Sequence, residues 1–453
     1  MQIERIRRIQ WNVALYLSAS AAVIAYSLYS IGNHDIAWPF LALALAALLL
    51  FAAVPISPLY GLTGYLLLAH GLPRYSAAHD LLLANHVLEW LCALLALGTL
   101  LWARRRQIRP DLARPPIIFM LLFMAWIGVS LVDMLLQGSW QPHLRHHPLL
   151  FFQALVLFLI SSHYLLNERR SYTLAFVICL IPAVRWLLQP SADFYLEGDT
   201  AMLSAITLAL ALMGAAHAPG RILRAGFAAT AINAAAMLLI TQNRAAAIAT
   251  AAALFVLWLS ARRRTLVLGI ALLVGAVVIT IANPHDYWNR FRAIWSPEIT
   301  HATAALDRST VQERLELWRA SYDMARDNPW LGVGPGNYPN AVVFYNPSLA
   351  KLATHNTVAA IAAETGIPGL LLFLGLIVSI ITILVRQMAN AGSFRQQAAR
   401  MMLAAIVGFL AGGLFISRHD SPLLYLMLGW AVAITRPTPI ENRTSVDPDM
   451  DRE

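Results

Sequence analysis

Arg244 follows Thr241-Gln242-Asn243 at the end of one apolar run and directly precedes another, Ala245 to Ser260. A guanidinium so placed lies at a membrane surface or just within it, where it either snorkels to headgroups or meets an anion. Arg314 comes after Thr310-Val311-Gln312-Glu313, which has the form of a capping box and is expected to open a helix that Asp327-Asn328-Pro329 closes. In the first turn of such a helix its side chain and the unpaired backbone N–H groups would face one phosphate or pyrophosphate; a purely structural arginine is the alternative. Arg185 is an isolated charge between Ile181-Pro182-Ala183-Val184 and Trp186-Leu187-Leu188, near the outer end of a span, and it too can snorkel or bind. His355 lies in Thr354-His355-Asn356-Thr357, with Thr354 the expected N-cap of the following helix. The positive end of that helix would hold the imidazole neutral, as a general base requires; a histidine that satisfies an interfacial hydrogen bond is the alternative.

Other chemistries find less support in the residues. His143, His146 and His147 cluster in a short loop, and His419 adjoins Asp420, but neither group has a recognised metal spacing. Paired carboxylates of glycosidase type, a nucleophile elbow and a Walker loop are absent. The glycines of Leu331-Gly332-Val333-Gly334-Pro335-Gly336 lack a lysine and a flanking strand, so they read as turns and not as a phosphate loop. Cys92 and Cys179 lie inside apolar runs as small hydrophobes, and no metal or cofactor is expected.

The elements that must position these residues are membrane helices. Of 453 residues, 59% are hydrophobic and 13% charged. Stretches such as Ile36 to Pro55 and Thr265 to Ala282 carry almost no polar face, which lipid tolerates and water does not. Hydropathy predicts an all-α bundle of about 12 to 14 spans, with short segments such as Pro58 to Leu72 serving as half-helices. Arginine clusters recur at Arg5 to Arg8, Arg104 to Arg109, Arg169 with Arg170, Arg221 with Arg224, Arg262 to Arg264, and Arg386 to Arg400. One alternating path puts all of them, and both chain ends, in the cytoplasm. The formal charge of +9 is therefore explained by topology and anionic headgroups, and no nucleic-acid partner is expected. The first apolar run continues past Ser18-Ala19-Ser20-Ala21, as an uncleaved anchor would. The domain reading is a bundle over 1–283, a large helical periplasmic loop over 284–354, further spans over 355–436 and a disordered cytoplasmic tail over 437–453. A long ordered loop usually carries function.

Three segments in order resemble the signature of the O-antigen ligase and polymerase superfamily. They are Thr241-Gln242-Asn243-Arg244-Ala245; Glu313 to Trp318 continuing through Asp327-Asn328-Pro329-Trp330 to Tyr338-Pro339; and His355-Asn356 followed by Glu364-Thr365-Gly366-Ile367-Pro368-Gly369. The resemblance implies a membrane glycosyltransferase of GT-C type in a bacterial inner membrane, with its site facing the periplasm. It implies a metal-independent, inverting transfer of glycan from undecaprenyl pyrophosphate to lipid A-core, as in an O-antigen ligase. A polymerase or protein O-oligosaccharyltransferase of the same superfamily would share these motifs, and a lipid-linked glycan flippase is the rival from another class. Carried onto this chain, Arg244 and Arg314, with Arg185 less distinctively, would bind pyrophosphate. His355 would be the base, and Asn356, Trp318 and Tyr338 would support it.

Overall fold

The computed structural model describes residues 38–72, 77–84, 86–108, 111–139, 146–165, 167–188, 198–241, 243–260, 302–389 and 394–436. The expected amino-terminal anchor, the apolar run at 265–282, the first part of the loop at 284–301 and the tail from 437 lie outside them. The described elements are helical: α1 (Trp38–Ala52), α2 (Pro58–Gly71), α3 (Ala77–Ala84), α4 (Val87–Arg105), α5 (Pro115–Leu136), α6 (His146–Tyr164), α7 (Glu168–Leu188), α8 (Gly198–His217), α9 (Arg221–Thr241), α10 (Arg244–Ser260), α11 (Ala302–Asp327), α12 (Tyr338–Tyr345), α13 (Thr357–Ala389), α14 (Phe394–Gly413) and α15 (Pro422–Ile434). Among the described residues, seven helices (α4 to α9 and α13) are long and apolar enough to cross a membrane, and shorter apolar helices lie at Ala42–Ala52, Arg244–Ser260 and Pro422–Ile434. At 14 residues, α2 spans about 21 Å, less than a hydrocarbon core. The protein is a multi-pass membrane helix bundle.

Helix α15 is its axis: every residue from Pro422 to Ile434 is buried. It can be surrounded because small residues let neighbouring backbones approach, as at Gly429, which has no room for a Cβ against Phe158 and Ser161 of α6. The same device seats α10, where Gly408 and Gly412 of α14 lie against Ala249 and Ala253. Outward positions remain apolar, with Leu136 83% and Ile232 73% exposed, as expected where lipid is the solvent.

The bundle has two unlike ends. At one, Arg170 stacks over Tyr164 and Trp102, with its guanidinium carbon 4.4 and 5.7 Å from the ring centres. Arg114 there donates to the Val432 and Thr435 carbonyls, at 2.8 and 3.2 Å, and so caps α15. Helix direction places the arginine clusters of α4, α7, α9, α13 and α14 at this end. The opposite end carries α11, α12 and the loop between α14 and α15.

Helix α13 is broken where Glu364-Thr365-Gly366-Ile367-Pro368-Gly369 requires it. Pro368 would clash with the carbonyl of Glu364 in a continuous helix. Gly366 instead takes φ 71°, ψ −176°, a region open essentially only to glycine. The freed carbonyls of Ala363 and Glu364 accept the N–H groups of Val333 and Gly334 at 2.9 and 3.1 Å, and Ile367 N–H donates to Pro329 at 2.8 Å. Two motifs 30 residues apart in the chain are thus one structure, in which the Pro329–Gly336 segment docks on the break. Ser130 of α5 closes it by donating to the Leu331 carbonyl at 2.6 Å. A Cβ on Gly366 would strike the backbone of Trp330, and one on Gly332 the backbone of Glu364 and Thr365. Gly366→Ala is therefore expected to destabilise the protein by more than the ~1–3 kcal/mol of backbone strain alone. Thermal unfolding in detergent should register this, with Gly128→Ala, which meets open space, as the neutral control.

Candidate functional site

Helix α11 runs from Ala302 to Asp327, so it does not begin at the capping box. Arg314 lies well inside it, and the expected role of that helix start in anion binding is overturned. The segment Ala302 to Ser309 holds no Gly or Pro, so nothing stops the helix from propagating through Thr310. The far end falls at Asp327, as Asp327-Asn328-Pro329 requires. The buried face of α11 holds Leu317 and Ser321, and Tyr338 of α12 pins it by donating from its hydroxyl to the Leu317 carbonyl at 2.8 Å. That face presents Arg314 and, one turn on, Trp318.

Arg314 is brought to Arg244 and His355. Its pKa is lowered by burial and then by the charge of Arg244, with Glu313 opposing. His355 is held below its ordinary 6.5 by burial and then by the charge of Arg314, again against Glu313. Arg314 therefore lies within electrostatic range of both Arg244 and His355, and all three are partly buried. The Nε of Arg314 and the Nε1 of Trp318 are buried without a hydrogen-bond partner. Buried donors left open in this way are costly unless something accepts from them.

Helix starts do adjoin these residues, but they are those of α10 and α13. Asn243 caps α10, accepting from Ala246 N–H at 3.1 Å, and Arg244 is the first helical residue. The cap of α13 is Asn356 and not Thr354: its side chain accepts from Val358 and Ala359 N–H at 2.9 and 3.0 Å. His355 sits just outside that cap with φ 53°, a left-handed conformation costly for a residue with a Cβ. It is held because Thr354 is buried and because the next residues are sewn to the loop after α14. Asn356 N–H donates to the Ser417 hydroxyl at 3.3 Å, and Thr357 donates to the Ile416 carbonyl at 2.9 Å. In the same loop Phe415 packs on the Trp318 ring, with centroids 6.4 Å apart.

Arg185 goes elsewhere. It is 3% exposed, and it donates to the carbonyls of His70 at 2.7 Å and Leu72 at 3.4 Å and to the Thr200 hydroxyl at 2.9 Å. Those bonds tie the end of α2 to α7 and α8. Arg185 also borders a chamber of about 520 Å³ whose wall includes Thr354 but not Arg244, Arg314 or His355.

Residues 228–374 match a family model described as O-antigen ligase. This segment belongs to the O-antigen ligase superfamily. No curated protein matches the chain. The O-antigen ligase domain contains Arg244, Arg314, Trp318, Tyr338, His355 and Asn356, while Arg185 lies outside it.

Motif reading also missed pairings that reach outside the domain. His147 Nδ1 meets Asp420 Oδ2 at 3.1 Å, and His419 Nε2 donates to Glu364 Oε2 at 2.9 Å. The same Glu364 oxygen accepts Gly336 N–H at 2.9 Å. Burial disfavours the charged form of His419, but Glu364 and Asp420 outweigh it and raise its pKa. Among the described residues, no group of three or more His, Cys, Asp or Glu is set to hold a metal. Of the histidines noted in the sequence, His147 and His419 pair with acids, while His143 lies outside the described residues.

Proposed function

We propose that the protein is an O-antigen ligase of the bacterial inner membrane, acting at the periplasmic face on undecaprenyl-pyrophosphate-linked glycan as donor and lipid A-core as acceptor. One observation carries this reading: Arg314 lies within electrostatic range of both Arg244 and His355, and its Nε–H and the Trp318 N–H are buried without a partner. In the reaction the acceptor hydroxyl oxygen attacks the anomeric carbon as the bond to the pyrophosphate oxygen breaks, and the configuration inverts. His355 takes the hydroxyl proton, and the electron pair leaves with undecaprenyl pyrophosphate. The leaving group needs charge stabilisation more than protonation, which Arg244 and Arg314 supply. The end of the bundle opposite the arginine clusters of α4, α7, α9, α13 and α14 is then the periplasmic one.

The test is reconstitution of the purified protein with lipid-linked glycan and lipid A-core, without added nucleotide or metal. Glycan joined to lipid A-core, with inverted configuration, is the expected product. Lipid-linked chains that lengthen instead would make the protein a polymerase, and translocation with the linkage intact would make it a flippase. Either result overturns the ligase reading.

A further inference from the structure

The chamber beside Thr354 has a chemistry unlike that of the arginine site. Its wall holds four carboxylates (Asp80, Asp199, Glu364 and Asp420) against two arginines, Arg185 and Arg418. Both guanidinium groups are engaged by the chain. Arg185 donates to the carbonyls and hydroxyl described above, and Arg418 forms an ion pair with Asp199 and donates to the Ser417 carbonyl at 3.1 Å. Three of the carboxylates are paired as well, Asp199 with Arg418, Glu364 with His419 and Asp420 with His147, so a phosphate entering the chamber would meet groups already matched to one another. Sugar hydroxyls would meet the remaining lone pairs of those carboxylates and the Gln153 amide that accepts from Tyr65 at 2.5 Å.

His419 points to a ligand independently. It is 4% exposed, lines the chamber, and engages Glu364 through Nε2, yet its Nδ1 is buried with no partner. With Nε2–H turned to Glu364, Nδ1 accepts when the ring is neutral and donates when it is protonated, and a hydroxyl group can meet it in either state. A volume of about 520 Å³ fits small ligands and short oligosaccharides.

We infer that this chamber is a saccharide site that takes a neutral, hydroxyl-rich stretch of sugar chain, separate from the arginine site that takes the diphosphate. The inference rests on the reading of Arg244, Arg314 and His355 as a glycosyl-transfer site, and it divides the substrates by charge. Thr354 borders the chamber and His355 follows it in the chain, which makes the two sites neighbours.

Binding decides the matter without transfer. The probe is core oligosaccharide released by mild acid from lipopolysaccharide of the source bacterium, with and without phosphatase treatment. It is titrated into the full-length protein in nanodiscs and followed by saturation-transfer NMR. The dephosphorylated probe should bind at least as tightly as the phosphorylated one. Gln153→Leu and His419→Gln should each weaken it roughly 3- to 10-fold, the loss of about one hydrogen bond, while Arg314→Ala leaves it unchanged. Preference for the phosphorylated probe, binding lost only in Arg314→Ala, no binding by wild type, or full binding by Gln153→Leu would each overturn the assignment. Thermal melting checks each variant, and Gln153→Leu decides alone if His419→Gln does not fold. Saccharide binding with no transfer product would sink the ligase reading and leave the chamber standing.

Discussion

Arg314→Ala is expected to lower kcat of glycan transfer by about 10²- to 10³-fold, the usual cost of removing one preorganised donor from developing negative charge. The charge being stabilised is on the departing pyrophosphate, so the loss falls on kcat more than on KM for the acceptor. Arg314→Lys separates charge from shape. Lysine keeps a positive group but loses the planar fork and the Nε–H that is buried and unpaired in the wild type. Losing one charge-assisted hydrogen bond of ~1.5–3 kcal/mol predicts a fall of roughly 10- to 100-fold for that conservative change. Arg244→Ala should resemble Arg314→Ala, and the double variant should cost less than the product of the two, since both act on one anion. Near-wild-type turnover by Arg314→Lys would reduce the role to a generic positive charge. Near-wild-type turnover by Arg314→Ala would remove Arg314 from the site altogether.

The parts of this molecule that sequence could disclose are those governed by short-range rules. Lipid selects apolar runs about 20 residues long, so the positions of spans such as Pro115–Leu136 follow from hydropathy. The end of α11 is local too, because Pro329 cannot continue a helix. Its start was misread for the converse reason: Thr310 to Glu313 has the residues of a capping box, but capping requires that the preceding residues leave the helix, and Ala302 to Ser309 do not. Thr354 and Asn356 were both chemically able to cap α13, and which one does so depends on anchoring to Ile416 and Ser417, some 60 residues away in the chain. Long-range pairing also decided the acids and histidines. Nothing near Glu364 names His419 as its partner, and nothing near His147 names Asp420. The available signal was the break at Gly366–Pro368, which leaves carbonyls that some other segment must satisfy. For Arg185 the sequence left snorkelling and binding open, and the structure adds the backbone carbonyls at the end of α2 that help to meet the cost of an arginine in a span.

His355→Ala should cost about 10²- to 10⁴-fold in kcat, the usual contribution of a positioned general base. The size alone would not distinguish a base from a residue that orients the acceptor, but the pH profile would. A base works deprotonated, and burial together with the Arg314 charge holds His355 below 6.5. The wild-type enzyme should therefore stay active as pH falls through 6.5, with the acidic limb of kcat/KM beneath that value. In Arg314→Gln the neighbouring charge is gone and protonation becomes easier, so the limb of the residual activity should move up. Arg314→Lys retains the charge and should leave the limb near its wild-type position even though turnover drops. This pairing matters because the two variants lose the same planar fork and differ in whether the imidazole still feels a cation. A limb at or above 6.5 in the wild type, or one that does not move in Arg314→Gln, would show that the proton lost by the acceptor goes to some group other than His355.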